Sequence, residues 1–97
     1  MIFEWDTEKA ERNFIKHKVA FTEAATVFDD DLGITIYDPD HSGTEERFIT
    51  IGMSESTRLL MVSHTDREDR IRIINARELT RKERKDYEEE IKRRKRR

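Results

Sequence analysis

Residues 48–77 read FITIGMSESTRLLMVSHTDREDRIRIINAR, three apolar runs separated by two short polar stretches. In the first run Ile49, Ile51 and Met53 alternate with Phe48 and Thr50, which is the two-residue period of a strand. Arg58 to His64 is apolar on both faces and predicts a central strand. From Arg70 to Arg77 basic and aliphatic side chains alternate, so Arg70 and Arg72 share one face and Ile71 and Ile73 the other. Ser54 to Thr57 and Asp66 to Asp69 are polar turns of hairpin length. Strands joined by so few residues run antiparallel, because a parallel return needs a dozen residues or more. The stretch predicts a meander.

Working outward, Leu32, Ile34 and Ile36 add a further strand, followed by the turn-rich Asp38-Pro39-Asp40-His41-Ser42-Gly43. Upstream the period changes to 3.6. Phe21, Ala24, Ala25 and Phe28 fall at i, i+3, i+4 and i+7 and predict a helix ending near Phe28, where Asp29, Asp30 and Asp31 oppose its dipole. Asp6 or Thr7 caps an earlier helix running to about His17, with Ala10, Phe14 and His17 on one stripe and Lys9, Asn13 and Lys16 on another. Ile2 to Trp5 is a short strand, whose Phe3 and Trp5 are expected in the core. Thr80-Arg81-Lys82-Glu83 has capping-box form and opens a last helix through Tyr87 and Ile91. The expected class is α+β: two N-terminal helices, a four-stranded antiparallel meander with a short N-terminal strand, and a C-terminal helix.

A chain of 97 residues supports one core, so residues 1–97 are expected to form a single domain, with 92–97 a basic tail prone to fraying. Charged residues make up 43% of it, but the near balance of 20 Lys+Arg and 22 Asp+Glu limits self-repulsion and favours folding over disorder. No apolar run approaches the roughly 20 residues of a membrane helix, and Met1 to Asp6 has no basic-then-apolar signal pattern. No membrane partner is expected. With no cysteine, disulfides, thiolate metal sites and cysteine nucleophiles are excluded, which suits a reducing cytoplasm. The three glycines form neither a G-x-G pattern nor a P-loop, which argues against a kinase, a dehydrogenase or an NTPase.

Charge is segregated. Residues 1–80 carry net −7 and residues 81–97 net +5, an asymmetry that suggests a polyanionic partner, although Lys and Arg at a helix end also complement its dipole. The polar groups fall near one another in the meander: His41, Glu45, Glu46 and Arg47 lead into one strand, Arg70 and Arg72 lie on another, and Arg77 follows. Cleaving RNA through its own 2′-OH needs a base for the hydroxyl proton, cations for the phosphorane charge and an acid for the leaving 5′-oxygen. Glu45 or Glu46 as base, His41 as acid, and Arg72 and Arg77 as phosphate clamps would suffice, since the guanidinium fork matches two phosphate oxygens. The alternatives are a solvated polar sheet face, with arginine stems covering apolar surface, and cross-strand ion pairs. Asp38, Asp40 and His41 with Asp29 to Asp31 could in principle hold a hard cation, but no metal-binding spacing is present, so no metal or other cofactor is expected. His64, within an apolar strand, is expected in the core, and His17 at the close of its helix.

A family resemblance sharpens this. Phe3-Glu4-Trp5-Asp6, Lys9, Asn13, Lys16-His17, Val19, Phe21, Ala24-Ala25, Phe28-Asp29, Asp40-His41-Ser42, Glu45-Glu46-Arg47, Gly52 and Arg72-Ile73-Ile74-Asn75-Ala76-Arg77, through Glu83-Arg84 and Tyr87, fall in an order and spacing that resembles the BrnT toxins of bacterial type II toxin–antitoxin systems. Asn75 departs from the serine usual there. The resemblance implies a RelE-like ribonuclease fold and metal-independent RNA cleavage that arrests translation. It also implies neutralisation by a BrnA-like antitoxin with a ribbon-helix-helix domain, a toxin–antitoxin heterotetramer being one assembly open to the pair. Signature positions carry over as Lys16, His17, His41, Glu45, Glu46, Arg47, Arg72 and Arg77, without the match itself dividing chemistry from structure. The site expected is His41, Glu45, Glu46, Arg72 and Arg77 for catalysis and Lys16, His17 and Arg47, with Arg70 from its place on the strand face, for RNA contact. A module that binds its antitoxin or nucleic acid without catalysis is the alternative.

Overall fold

The alternating runs pair into one five-stranded sheet. The computed structural model describes residues 1–95, with strands β1 (Ile2–Glu4), β2 (Ile34–Tyr37), β3 (Arg47–Met53), β4 (Leu59–Arg67) and β5 (Arg70–Glu78). The helices are α1 (Thr7–His17), α2 (Phe21–Thr26) and α3 (Arg81–Lys95), with 3₁₀ turns at Val27–Asp29 and Pro39–His41. Strand order is β1-β5-β4-β3-β2. Strands β2 to β5 each pair antiparallel with the next in the chain, whereas β1 lies parallel to β5 through Ile2↔Arg70, Phe3↔Ile71 and Glu4↔Arg72. The sheet is therefore mixed: α1 and α2 lie between β1 and the meander, giving the chain room for a parallel return.

Strand register assigns the faces. Leu60, Val62 and His64 of β4, with Ile73 and Ala76 of β5, point to the side where Val19, Phe21, Ala24 and Val27 close the core. Phe3 and Trp5 pack partly buried against it. Ile73 and Ala76 both face inward although three apart, because a bulge opposite Ser63 and His64 leaves Ile74 unpaired and changes the alternation. His64 is buried as expected, its Nδ1 2.8 Å from Asp66 and its Nε2 2.8 Å from Thr50; burial lowers its pKa, against the pull of Asp66.

Four boundaries differ from the sequence expectation. Leu32 lies in the turn before β2, which starts only at Ile34, because Asp30 Oδ1 takes its N–H at 3.0 Å. Helix α2 stops at Thr26 and tightens into the 3₁₀ turn that carries Phe28. There Gly52 passes beneath the chain: a Cβ on it would lie 3.0 Å from Val27 Cγ1 and 3.1 Å from Asp30 Oδ2. Asp30 fixes that crossing by accepting the Met53 N–H at 2.7 Å and the Leu32 N–H at 3.0 Å. Strand β4 runs on to Arg67, leaving only Glu68 and Asp69 for the turn, with Glu68 in the left-handed region at φ 54. Asp66 and Arg67 stay extended because each has a partner, His64 and Glu45 respectively. In the tail, Lys92 to Lys95 form the last turn of α3; residues 96 and 97, the rest of the basic stretch expected at 92–97, lie outside the described residues.

The helix ends follow their capping chemistry. Asp6 accepts the N–H groups of Glu8 at 2.8 Å and Lys9 at 3.1 Å, starting α1. Thr80 and Glu83 exchange reciprocal bonds at 3.2 and 2.9 Å, a complete capping box for α3. Asn13 does more than pack. It is 6% exposed and lies where β1 has ended and the β5 edge would otherwise be bare. Its Oδ1 accepts the Ala76 N–H at 3.0 Å, and its Nδ2 donates to the Ala76 and Val19 carbonyls at 2.9 Å each. One amide side chain thus substitutes for a strand and fixes α1 alongside β5.

Candidate functional site

The face of the sheet opposite α2 carries the polar groups, and the register sets them in rows. Arg47 on β3 faces Thr65 on β4, Thr65 faces Arg72 on β5, and Arg72 faces Glu4 on β1. Paired antiparallel Cα atoms are about 5 Å apart, so Arg47 and Arg72 flank Thr65 with their Cα atoms roughly 10 Å apart. In the next row toward the hairpin, Arg67 faces Arg70. Above this floor lies a cleft of about 220 Å³ lined by Lys9, His41, Thr44, Glu45, Arg47 and Arg72, together with Gly43, Thr65 and Ile74. Lys9 reaches it from the first turns of α1, the helix that Asn13 ties to the β5 edge.

The wall opposite α1 is the connection between β2 and β3. The Asp38 N–H donates to the Arg47 carbonyl at 2.8 Å, the Ser42 hydroxyl to the Asp38 carbonyl at 2.8 Å, and the Arg47 N–H to Ser42 Oγ at 2.9 Å. This closed loop holds the 3₁₀ turn in which His41 Nδ1 sits 2.9 Å from Asp38 Oδ2. The Asp38 side chain is 14% exposed and that of His41 68%, so the imidazole is tethered on one nitrogen and has the other free. A carboxylate on Nδ1 fixes the orientation of the ring and leaves Nε2 to meet a substrate.

Carboxylates and arginines share the floor in fixed pairs. Arg67 grips Glu45 with two hydrogen bonds, Nε at 2.7 Å and Nη2 at 2.8 Å, and that contact holds the Glu45 carboxyl below its usual range, helped by the charges of Arg72 and Arg47. Glu4 accepts from Arg70 at 3.3 Å and Arg72 at 3.2 Å and is likewise lowered, chiefly by Arg70. Both are ionised at neutral pH, and each keeps oxygen lone pairs beyond those the arginines use.

The expected site residues therefore divide. His41, Glu45, Arg47 and Arg72 line the cleft together. Arg70 does not line it; it lies one row nearer the β4–β5 hairpin on the same face, bound to Glu4. Glu46 is exposed, does not line the cleft, and makes no ion pair among the described residues. Lys16 and His17 stand at the far end of α1, two turns beyond Lys9, and do not line the cleft. Arg77 is also outside it, five residues along β5 from Arg72. Its guanidinium is taken by Glu83 in bonds of 2.8 and 3.0 Å, which with the Thr80 N–H pull the Glu83 carboxyl down to about 2. Arg77 ties the start of α3 to the sheet. Lys9, Thr65, Asp38 and Arg67 enter the site without having been singled out for it. The spacing of Asp38 and His41, i and i+3 about a proline, was the available signal for that pair, whereas Thr65 needed the register. Among the described residues no group of three or more His, Asp or Glu side chains gathers to hold a metal ion.

Comparison with known proteins identifies the family and the fold. Residues 5–83 match the model of a family described as the ribonuclease toxin, BrnT, of type II toxin–antitoxin systems. The fold is similar to that of the Brucella abortus ribonuclease toxin BrnT, solved by crystallography at 1.1 Å, with a TM-score of 0.61 and 16% sequence identity over 84% of this chain and all of that one. No curated protein matches the sequence significantly.

Proposed function

From the premise that the chain belongs to the BrnT family, ribonuclease toxins of type II toxin–antitoxin systems, we propose that the cleft between α1 and the β2–β3 connection cleaves RNA by attack of its own 2′-OH, without a metal ion. The observation that carries this reading is the convergence of His41, Glu45, Arg47, Arg72 and Lys9 on one cleft from three separate segments of the chain. The Glu45 carboxylate takes the 2′-OH proton as the oxygen attacks phosphorus. Arg72, Arg47 and Lys9 hold the phosphorane charge. His41, oriented by Asp38 on Nδ1, gives the Nε2 proton to the departing 5′-oxygen, leaving a 2′,3′-cyclic phosphate. Asp38 is then a positioning residue for His41, and Arg67 one for Glu45. A positioned proton carrier is worth about 10²–10⁴ in rate and a preorganised contact to developing charge about 10²–10³.

The same reading makes the chain a RelE-like toxin that arrests translation in the cytoplasm. A type II toxin has an antitoxin partner; here that partner is a BrnA-like ribbon-helix-helix protein, bound in a heterotetramer. The test is purified, antitoxin-free protein with RNA in the presence of a chelator. Cleavage with 2′,3′-cyclic phosphate ends, blocked by a 2′-deoxy nucleotide at the cut site, is the expected result. Intact RNA, or cleavage indifferent to the 2′-deoxy substitution, would overturn it.

A further inference from the structure

We infer that the Thr65 hydroxyl is the neutral donor of a phosphate-oxygen subsite at the floor of the cleft, between the guanidinium groups of Arg47 and Arg72. Its ligand, a phosphodiester oxygen, rests on the ribonuclease reading, whereas the subsite itself rests on geometry. Thr65 is 4% exposed, and among the described residues its Oγ1 is the buried side-chain polar atom without a hydrogen-bond partner. The other buried polar side chains are all engaged: Asn13 makes three bonds, Thr50 and His64 bond each other and a further partner each, and Ser54 bonds Glu23. Interiors rarely leave such a group unmatched, and sites that do often have a ligand or catalytic use for it.

The row leaves the hydroxyl proton without an acceptor on either side, and neither arginine donates to the hydroxyl oxygen. Thr65 has Arg47 on one side and Arg72 on the other. Guanidinium groups only donate, so neither neighbour can accept the hydroxyl proton. An anionic oxygen placed over Thr65 accepts from all three. A tetrahedral phosphate suits the spot, because it presents two nonbridging oxygens to donors arrayed on either side of a central one. Lys9, lining the same cleft, adds charge from the helix side. Thr65 lines the cleft while its Oγ1 is shielded from solvent. A step between staggered χ1 wells, the ordinary motion of a threonine, presents the hydroxyl to the bound oxygen. Strand β4 needs a β-branched residue here for its own sake; valine would meet that need without the unpaired oxygen.

The experiment compares Thr65→Val, Thr65→Ser and the unsubstituted chain, with inorganic phosphate as the probe in an NMR titration and RNA cleavage measured in parallel. Thr65→Val removes a hydroxyl that bonds nothing in the described fold, so its melting temperature should equal or exceed that of the parent. Its phosphate affinity should fall about tenfold or more, the loss of one hydrogen bond to a charged group, and its cleavage rate about 10²-fold. Thr65→Ser should restore both. Thr65→Ala provides the same comparison if valine is not accommodated. Phosphate binding in Thr65→Val equal to that of the parent would overturn the subsite, whether or not RNA is cut. Loss of phosphate binding in Thr65→Val from a parent that never cleaves RNA would retain the subsite and discard the ribonuclease reading.

Discussion

Asn13 offers the sharpest test of how the site is held together. Replacing it with alanine removes the acceptor of the Ala76 N–H and the donor to the Ala76 and Val19 carbonyls, three backbone groups at a buried position. A buried backbone group left unpaired costs about 1–3 kcal/mol. Taking the low end for each, because water can reach part of the opened edge, the loss is about 3 kcal/mol. For a domain of this size, whose total is about 5–10 kcal/mol, that is a third or more of the stability. About 4–8 °C per kcal/mol then lowers the melting temperature by roughly 12–24 °C. Asn13→Asp is nearly the same size but turns the 2.9 Å donor into an oxygen facing two carbonyl oxygens, and should cost at least as much. Urea titration measures both, with the midpoint falling and the slope unchanged. Amide exchange at Ala76 should accelerate, since its N–H is bonded to this side chain. An Asn13→Ala variant within about 1 kcal/mol of the parent, or an Ala76 amide exchanging as before, would refute the idea that a side-chain amide closes the β5 edge.

Two further predictions concern charge. Arg72→Ala should reduce RNA cleavage about 10²-fold with little change in melting temperature, whereas Arg77→Ala should lower the melting temperature and leave the rate per folded molecule near that of the parent; the reverse pattern would place the chemistry at Arg77. Stability against pH should fall in two steps on acidification. The unfolded chain binds a proton on His64 near pH 6.5 that the folded chain, with its pKa lowered by burial, refuses, so the first loss begins there and disappears in His64→Gln. Glu83, down at about 2 when folded against 4.5 unfolded, contributes stability that is complete above about 4.5 and lost as pH falls toward 2. Asp6, Glu23, Glu4 and Glu45 are lowered too and add to that second step, which Glu83→Gln should shrink but not abolish; an unaltered acid limb would count against the Arg77–Glu83 contact.

Most of the fold was legible because local chemistry and tertiary demand agree. Asp6, the Thr80/Glu83 box and the alternation from Phe48 to Arg77 each say the same thing as the packed structure. The boundaries that moved did so where long-range contacts decide: the tightening of α2 depends on Gly52 passing under it, and the extension of β4 on partners for Asp66 and Arg67. The site was legible as a set of residue types and only partly as a place. Arg72 and Arg77 occupy the same face of β5, yet their fates differ because Glu83 lies beside one and Thr65 beside the other. Thr65 could not be singled out before the register was known, since its significance is the company of two arginines from other strands.

An acidic protein can hold a polyanion if its charges are unevenly placed, and the floor of the sheet shows how. The formal net charge is −2, yet the cleft lining sets three cations, Lys9, Arg47 and Arg72, against one carboxylate, Glu45, with Glu4 paired to Arg72 beside it. Those carboxylates do not cancel the field so much as hold it in shape: each binds arginine forks that would otherwise sample many rotamers, and so reduces the ordering cost of gripping a phosphate. Exposed pairs of this kind contribute little to stability, so the exchange of Glu4 for a phosphate on Arg72 is a near-even trade of anion for anion, while Arg67 keeps Glu45 in place. The strength of binding should then depend on salt through the few cations at the cleft, with a shallow slope, and hardly at all on the net charge of the chain. A steep salt dependence that vanishes when the basic end of α3 is removed would instead put the RNA on that helix, away from the chemistry.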